Sequence, residues 1–316
     1  MGARTAPRAG KAQGRDDMRA GVIGIGNMGS GLARNLMKNG FEVSGHDLLE
    51  HRMRDFREMG GIACANAAEV GARSDAVFVM VMNGDEVKSV LFGENGLLWT
   101  MPKGGTVILT ATIKPREARE IAEMMEGSGI GLIDSPVSGG YAGAQGGTLT
   151  LMAAGPAELL DRNAPVMQAV SKVIHRVGED AGMGQTVKAC LQTLIGSIFS
   201  ATFEASVLAA KAGVRGEDLY KVFSTSGAGC GCTNQALESV IDRKFEGTGS
   251  TISTMHKDLT ISLDLAEELL VPLHMATSAM QIFHAGKARY PDADNWACTL
   301  VMEEIAGAAL HREPQS

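Results

Sequence analysis

The stretch Arg19-Ala-Gly-Val-Ile-Gly-Ile-Gly-Asn-Met-Gly29 decides the fold. Its first half is a short apolar run typical of a buried strand, and its second half carries glycines at the spacing G-x-G-x-x-G. In such a turn the first glycine allows a tight bend, the second lets the backbone approach a pyrophosphate, and the third lets the helix pack on the strand. A helix that begins here directs free amide groups at phosphates. The segment therefore predicts a dinucleotide site formed by Gly24, Gly26, Asn27, Met28 and Gly29.

Short β-rich runs alternate with helical segments from Arg19 to about Val177. Such alternation predicts a doubly wound parallel sheet of the Rossmann type, with helices on both faces. After Gly178 the strand pattern ends and helical patterns follow, the longest being an apolar helix over 186–212. The predicted class is α/β followed by an all-α domain. The predicted divisions are a disordered tail over 1–17, an NAD-binding Rossmann domain over 18–180 and a helical substrate and dimerisation domain over 181–316.

The composition is that of a globular protein and argues against several classes of partner. A net charge of -7 over 316 residues disfavours nucleic acid, whose phosphates are bound by clustered Lys and Arg. The longest uncharged apolar segment, 189–203, is shorter than the roughly 18 residues that span a membrane. The five scattered cysteines indicate reduced thiols. We therefore expect a cytoplasmic protein that binds neither nucleic acid nor a membrane.

No metal site is predicted. The seven histidines never fall at i, i+4 spacing on one helix, and the cysteines do not form the two ligand pairs of a structural zinc site. Cys230-Gly-Cys232 is the one close pair. We interpret it as part of a loop rather than as a redox or metal site, because no partner pair exists.

Asp47 ends the second predicted strand, 23 residues after Gly24. A carboxylate at this place accepts hydrogen bonds from the adenosine ribose of NAD. The 2'-phosphate of NADP would meet this negative charge, and only Arg52 or Arg54 would offset it. NAD is therefore the predicted cofactor and NADP the less favoured one. The alternative is that Asp47 only caps the following helix.

A glycine-rich segment, Asp134-Ser-Pro-Val-Ser-Gly-Gly140, is interpreted as a loop that extends to Thr148 from the carboxyl end of a strand. Open α/β sheets bind their ligands at that edge. Successive amides at Ser138, Gly139 and Gly140 form a concavity that suits a carboxylate. The alternative is a plain structural turn, since glycines also serve tight turns.

Gly182-Met-Gly-Gln-Thr-Val-Lys188 places one lysine at the head of the long apolar helix. Gln192 lies four residues later, on the same helix face. Burial lowers the pKa of a lysine, so that it exchanges protons with a hydroxyl near neutral pH. The alternative is a lysine whose stem lies on apolar surface while its charge reaches water. Spacing alone does not choose between the two.

Together the motifs resemble the β-hydroxyacid dehydrogenase family, which includes 3-hydroxyisobutyrate, L-threonate and 6-phosphogluconate dehydrogenases and tartronate semialdehyde reductase. The resemblance extends from Met18 to about Gly307. It rests on four motifs in order, GIGNMG at 24–29, DSPVSGG at 134–140, GMGQTVK at 182–188 and KDL at 257–259. It implies an oxidoreductase that transfers a hydride between NAD and a small hydroxy acid.

The resemblance also implies roles for single residues. Lys188 would be the general acid and base. Thr112 would lie beside the nicotinamide ribose, Val81-Met82-Asn83 would line the dinucleotide, and Lys257 would close the pocket from the helical domain. The residues implied in substrate binding are Ser138, Gly139, Gly140 and Gln192.

One departure from the family bears on the substrate. Many members carry two asparagines three and four places after the lysine, where this chain has Leu191 and Gln192. This lysine and glutamine pattern resembles the L-threonate dehydrogenase branch, which oxidises a four-carbon sugar acid at C2. The alternatives are a 3-hydroxyisobutyrate dehydrogenase, a tartronate semialdehyde reductase or, in another class, a non-catalytic dinucleotide-binding scaffold. Retention of Lys188 argues against the scaffold.

The long helix over 186–212 also predicts self-association. It is apolar almost all round, and the five shorter helices that follow do not provide enough surface to cover it. We therefore expect a homodimer or a homotetramer.

Overall fold

The computed structural model describes residues 18–312, so the tail predicted over 1–17 lies outside the described residues. Within this range the strands are β1 (Ala20–Ile23), β2 (Val43–His46), β3 (Ile62–Ala63), β4 (Ala76–Val79), β5 (Thr106–Leu109), β6 (Gly131–Asp134), β7 (Val137–Ser138), β8 (Leu149–Ala154) and β9 (Ser171–Gly178). The helices between them are α1 (Asn27–Lys38), α2 (Glu50–Glu58), α3 (Ala67–Arg73), α4 (Gly84–Phe92), α5 (Pro115–Met125), α6 (Gly140–Gly146) and α7 (Ala157–Val170).

Helices alone follow β9. They are α8 (Met183–Lys211), α9 (Gly216–Thr225), α10 (Gly231–Ile241), α11 (Ile252–Glu268), α12 (His274–Arg289) and α13 (Cys298–Ala306). Short 3-10 turns occur at Leu97–Trp99 and Asn295–Ala297. The chain therefore changes from mixed sheet and helix to helix alone after Gly178.

One sheet joins the strands in the order β3-β2-β1-β4-β5-β6-β8-β7, with β9 paired to β8. The six strands from β3 to β6 in this order are parallel, as in a Rossmann sheet. Strand β8 runs antiparallel to both β6 and β7, and β9 runs parallel to β8. The predicted α/β class is confirmed, and the late strands make the sheet mixed.

The central strands are buried on both faces because helices cover each side of the sheet. Successive residues of a strand point to opposite faces. Phe78 accordingly packs in one apolar core with Leu32 of α1, whereas Val77 packs in the other with Val87 of α4. The two cores fix the sheet in place beneath its carboxyl edge.

The segment predicted as a loop over 134–148 is instead the short strand β7 followed by helix α6. Its glycines have low helix propensity, so local preference does not form this helix. Contact with helix α1 stabilises α6 instead. A Cβ on Gly31 would stand 2.6 Å from the carbonyl of Ala144, and Nδ2 of Asn35 donates a hydrogen bond of 2.8 Å to the same carbonyl oxygen. Packing between two distant segments therefore stabilises α6.

Helix α8 is the axis of the helical domain. Its residue Phe199 meets the ring of Trp296 edge to face at 5.1 Å, in a core that also holds Phe203 and Phe283. By length and composition α8 would be able to cross a membrane. This is weak evidence for a membrane span, because the core helix of a soluble protein passes the same test. In its most apolar window 44% of the residues are buried in the protein. The other side of the helix lies open.

Candidate active site

The turn between β1 and α1 requires glycine at two of its positions. Gly24 has a φ of +87°, and a Cβ on it would stand 2.2 Å from the carbonyl oxygen of Met80. A Cβ on Gly29 would stand 1.8 Å from the carbonyl oxygen of Gly24. A larger residue at either place would displace the backbone, so the turn keeps the shape that its sequence motif predicts.

Helix α1 begins at this turn. Its N-cap is Gly26, and no side chain caps the helix. The first amides of a helix have no partner within it, so those of Asn27, Met28 and Gly29 suit a pyrophosphate. Asn27 is exposed. The Met28 side chain packs against the core, so only the backbone amide of Met28 is directed to the phosphate position. These residues fit a dinucleotide.

Asp47 follows β2 and lies beside the same turn. Its carboxylate accepts hydrogen bonds of 2.8 Å from the amide of Ile25 and 2.9 Å from the amide of Leu49. It also forms an ion pair of 3.2 Å with Arg52, whose guanidinium lies close to Gly26. The N-cap of α2 is Leu49 and no side chain caps this helix, so the interpretation of Asp47 as its cap is wrong. The carboxylate instead holds the dinucleotide turn and the segment that leads into α2.

The segment after β4 reaches the same edge, because β1 and β4 are adjacent parallel strands. Met82 is 54% exposed, and Val81 packs partly against the core beneath the edge. Oδ1 of Asn83 accepts a hydrogen bond of 2.8 Å from the amide of Glu86 and so caps α4. Met82 and Val81 therefore give this edge an apolar surface, while the Asn83 side chain caps the N-terminus of α4.

The predicted substrate residues lie where β7 ends and α6 begins. Gly139 and Gly140 have φ angles of +124° and +59°, which disfavour any side chain. Ser138 is half-buried and both glycines are exposed. Ser250 of the helical domain faces them, its Oγ 3.8 Å from where a Cβ on Gly140 would stand. This segment therefore lies between the two domains.

Lys188 is buried, with 7% of its surface exposed. Within the described residues, Nζ of Lys188 takes part in no hydrogen bond or ion pair. Burial lowers the pKa of this lysine, Asp258 raises it, and Lys257 adds to the lowering. Lys188 therefore lies inside the protein and not at its open surface.

The start of α8 packs against the substrate segment. A Cβ on Gly184 would stand 2.7 Å from the carbonyl oxygen of Asp134 and 2.9 Å from Cδ of Pro136. Lys188 follows Gly184 by about one helical turn, and Ser138 follows Pro136 by two residues. The helix that carries Lys188 therefore packs against the segment that leads to Ser138.

A buried carboxyl group attaches α8 to the sheet. Oδ2 of Asp134 accepts hydrogen bonds of 2.8 Å from the amide of Gly182 and 3.2 Å from the amide of Gln185. Oδ1 accepts a third, of 2.9 Å, from the side chain of Gln185. Burial raises the pKa of Asp134 to about 6, although these donors favour its charged form. The group is a structural anchor for the helix that carries Lys188.

A second buried carboxylate, Asp258, connects three of the predicted site residues. Its Oδ2 accepts a hydrogen bond of 2.7 Å from Nε2 of Gln192, and its Oδ1 lies 2.8 Å from Nζ of Lys257. Nζ of Lys257 also donates a hydrogen bond of 2.7 Å to the carbonyl oxygen of Thr112. Gln192, Lys257 and Thr112 are thereby brought together across the domain boundary. The Gln192 amide nitrogen faces Asp258, and its oxygen accepts no hydrogen bond within residues 18–312.

Sequence reasoning missed the roles of Asp134, Gln185 and Asp258. All three lie inside sequence motifs that were used to assign roles to neighbouring residues. The motifs therefore located the site but did not assign these three roles. A polar residue at an otherwise apolar helix position was the available signal for Gln185. The described residues hold no group of three or more His, Cys, Asp or Glu side chains able to bind a metal ion.

The fold and the site define a class of protein. A dinucleotide turn at the carboxyl edge of a Rossmann sheet, together with a buried lysine of lowered pKa on a helix attached to the same sheet, is the arrangement of an NAD(P)-dependent oxidoreductase.

Comparison with known proteins supports that class. Residues 19–178 match the model described as the NAD binding domain of 6-phosphogluconate dehydrogenase. Residues 182–301 match the model described as NAD-binding of NADP-dependent 3-hydroxyisobutyrate dehydrogenase. The chain is 33% identical to L-threonate dehydrogenase of Escherichia coli K12 over 92% of its own length and 96% of that protein. It is 31% identical to 2-(hydroxymethyl)glutarate dehydrogenase of Eubacterium barkeri, covering 93% and 97%.

Among solved structures, 3-hydroxyisobutyrate dehydrogenase from Salmonella typhimurium superposes with a TM-score of 0.83 at 32% identity, covering 90% of this chain and all of that one. The chain belongs to the β-hydroxyacid dehydrogenase family. It is an NAD(P)-binding oxidoreductase that acts on the hydroxyl group of a hydroxy acid, as the sequence predicted.

Proposed function

We propose that the protein oxidises a small polyhydroxy acid of the L-threonate type at C2, with NAD as cofactor. The observation that carries this proposal is Lys188, a buried lysine without a hydrogen-bond partner in the described chain, one helical turn from the contact between α8 and the substrate segment. A buried charge without a partner is costly, so such a lysine is retained where a ligand meets it.

The chain's own residues supply binding and proton transfer. The amides of Ser138, Gly139 and Gly140 hold the substrate carboxylate. Neutral Lys188 accepts the proton of the C2 hydroxyl, which its lowered pKa favours. Bound NAD supplies the acceptor for the hydride that leaves the same carbon. The ketone product forms as proton and hydride depart.

The preference for L-threonate rests on the polar residues around Lys188. Gln192 stands where an asparagine is common, and Asp258 orients its amide. The Gln192 oxygen then faces the site and suits a second substrate hydroxyl, which 3-hydroxyisobutyrate lacks. The similarity of the whole chain to L-threonate dehydrogenase agrees with L-threonate as the substrate.

The preference for NAD rests on Asp47. Its carboxylate accepts two backbone hydrogen bonds and pairs with Arg52 at the end of β2, next to the dinucleotide turn. A 2'-phosphate placed there would be repelled by Asp47, while the nearest cation is already neutralised. NAD presents two ribose hydroxyls in its place and meets no such repulsion.

Turnover measurements on the purified protein test the function. NADH formation would be followed with L-threonate, D-threonate, the erythronates, glycerate and 3-hydroxyisobutyrate. We expect L-threonate to be the best substrate and Lys188→Ala to lose about 10²–10⁴-fold in kcat. Lys211→Ala, on the same helix but at its exposed end, serves as the control and should retain activity. Equal turnover by Lys188→Ala would overturn the catalytic role, and a higher kcat/KM for another acid would overturn the substrate.

We propose further that the protein is a homodimer joined through the open side of α8. Leu194 and Leu208 are 59% and 72% exposed, and Cys190 and Ala201 share their helix face. The exposed Glu204 lies at the edge of this face, beside Leu208. The same face of a second copy, related by a twofold axis, is the occupant that covers the apolar part.

The molar mass in solution tests the dimer. Leu194→Glu with Leu208→Glu should convert it to a monomer, because each copy would bury two charges without partners. Val222→Glu on α9 is a matched control, since Val222 is comparably exposed but lies on another helix. A wild-type monomer, or a double variant that remains dimeric, would contradict the proposal.

A further inference from the structure

The sulfur of Cys230 occupies the N-cap position of α10. It accepts a hydrogen bond of 3.5 Å from the amide of Thr233 and lies 3.4 Å from the hydroxyl oxygen of the same residue, in a hydrogen bond in which either atom is able to donate. Cys230 is exposed. A neutral thiol is a weak acceptor, whereas the positive end of a helix favours an anion. The hydrogen bonds from Thr233 accordingly lower the pKa of the Cys230 thiol. The N-cap of α10 therefore favours a thiolate.

A second thiol stands two residues away. Cys232 is half-buried against the helical core, and burial raises the pKa of its thiol. Two residues of chain keep the Cα atoms within about 7 Å, close to the roughly 4.4–6.8 Å that a disulfide needs. Nothing lies within 4 Å of where a Cβ on Gly231 would stand, so the residue between them has room to move. The pair combines an exposed thiol of lowered pKa with a half-buried thiol of raised pKa.

We propose that Cys230 and Cys232 form a redox-active dithiol that hydrogen peroxide oxidises to an intramolecular disulfide. The Cys230 thiolate attacks the peroxide, forming an S–O bond while the O–O bond breaks, and the released hydroxide takes a proton to become water. Cys232 then attacks the oxidised sulfur, the S–S bond forms, the S–O bond breaks, and a second water leaves with the Cys232 proton. The two thiols lose two electrons and the peroxide gains them.

Oxidation would change the helical domain. A disulfide removes the sulfur cap from Thr233 and places Cys232 outside its helical position, so the first turn of α10 unwinds. Helix α10 packs against α8, which carries Lys188. The dithiol therefore links the redox state of the chain to the helix that holds the proposed catalytic lysine.

The interpretation of Cys230-Gly-Cys232 as part of a loop is wrong. Cys230 is the N-cap of α10, and Cys232 lies in the first turn of that helix. A helix N-terminus favours the thiolate of a cysteine. An intramolecular disulfide, unlike a structural zinc site, needs no second cysteine pair.

The test uses the full chain in a Cys190→Ser background, which removes the other exposed thiol. The protein is treated with one equivalent of hydrogen peroxide and digested with trypsin. The peptide 222–243 contains Cys230 and Cys232 as its only cysteines. We expect this peptide to lose two hydrogen atoms in mass, and Cys232→Ser to yield instead a sulfenic acid on Cys230 that dimedone traps. Cys230→Ser keeps an N-cap and should leave Cys232 unoxidised.

A rate measurement separates a reactive site from slow general oxidation. Alkylation of Cys230 by iodoacetamide at pH 7 should be several-fold faster than that of glutathione, and Thr233→Val should slow it by removing one donor. Circular dichroism of each variant confirms that it is folded. A wild-type peptide that remains a dithiol, or equal oxidation of Cys232 in Cys230→Ser, would overturn the proposal.

Discussion

The side-chain amide of Gln185 donates a hydrogen bond of 2.9 Å to the carboxylate of Asp134, joining the first turn of α8 to the end of β6. The same amide nitrogen donates a hydrogen bond of 3.0 Å to the carbonyl oxygen of Ala111. Oε1 of Gln185 accepts a hydrogen bond of 3.1 Å from the amide of Ile113. Gln185 is therefore held at three points on the carboxyl edge of the sheet. Lys188 stands three residues later, so this contact sets where the proposed proton acceptor lies relative to both domains.

Asp134→Asn should destabilise the fold by about 1–3 kcal/mol. Oδ1 of the new amide still accepts from the backbone, but its NH₂ faces the NH₂ of Gln185. Gln185 does not rotate to relieve this, because Ala111 and Ile113 hold both of its polar atoms. Urea unfolding of the two proteins at pH 5 and pH 7 measures the difference.

The same pair of proteins gives a pH dependence of known sign. The folded-state pKa of Asp134 is raised to about 6 from an ordinary 3.8, so the native state holds its proton more tightly than the unfolded chain. Its contribution to stability is full below pH 3.8 and is lost as the pH rises through about 6. The wild type should therefore lose stability relative to Asp134→Asn across this window. A constant difference would show that Asp134 is ionised throughout.

Neutralising the two charges next to Lys188 should shift the pH profile in opposite directions. Asp258 raises the pKa of Lys188 and Lys257 lowers it. In the oxidative direction kcat/KM falls when Lys188 becomes protonated, so the acidic limb follows its pKa. Asp258→Asn should move that limb to lower pH and Lys257→Met to higher pH, each by about one pH unit.

The control for these shifts is Lys114→Met, which removes a cation at the same domain boundary that pairs with Asp264 rather than with the Lys188 network. Its acidic limb should stay in place. If Asp258→Asn and Lys257→Met lower kcat without moving the limb, Lys188 is not the titrating group.

The sequence predicted what local geometry dictates. The glycine spacing at 24–29 required one kind of turn, and alternating patterns placed the central strands, because each depends on neighbouring residues. Helix α6 was missed because its stability comes from α1, more than a hundred residues away in the chain. The burial of Lys188 was undecided for the same reason, since only the packing of α11 and the sheet edge against α8 removes it from water.

Replacing Asp47 should change the choice of cofactor. In Asp47→Ser the repulsion of a 2'-phosphate is gone and Arg52 loses its ion-pair partner, so the guanidinium becomes available to the phosphate. We expect kcat/KM with NADP to rise about tenfold, or about 1.4 kcal/mol, while that with NAD falls. Initial rates with each cofactor at saturating acid measure both.

Arg52 provides the matched control for this change. The double variant Asp47→Ser with Arg52→Ala should lose the gain with NADP, because no cation then meets the phosphate. An NADP preference already present in the wild type would contradict the role given to Asp47.

Ser250 should discriminate between hydroxy acids of different polarity. Its Oγ makes no hydrogen bond within residues 18–312 and lies 3.8 Å from the Cβ position of Gly140, at the substrate segment. The backbone around it is fixed, since its carbonyl oxygen accepts 2.8 Å from the amide of Asn295. The Ser250 hydroxyl is placed to form a hydrogen bond with a distal hydroxyl of a sugar acid. Ser250→Ala removes only that hydroxyl. We expect kcat/KM on L-threonate to fall about tenfold, while that on 3-hydroxyisobutyrate, which has no further hydroxyl to lose, changes little. Thr254→Ala, on the first turn of α11, is the control, because that hydroxyl bonds to Thr251 instead. An equal loss on both acids would place Ser250 at the carboxylate they share.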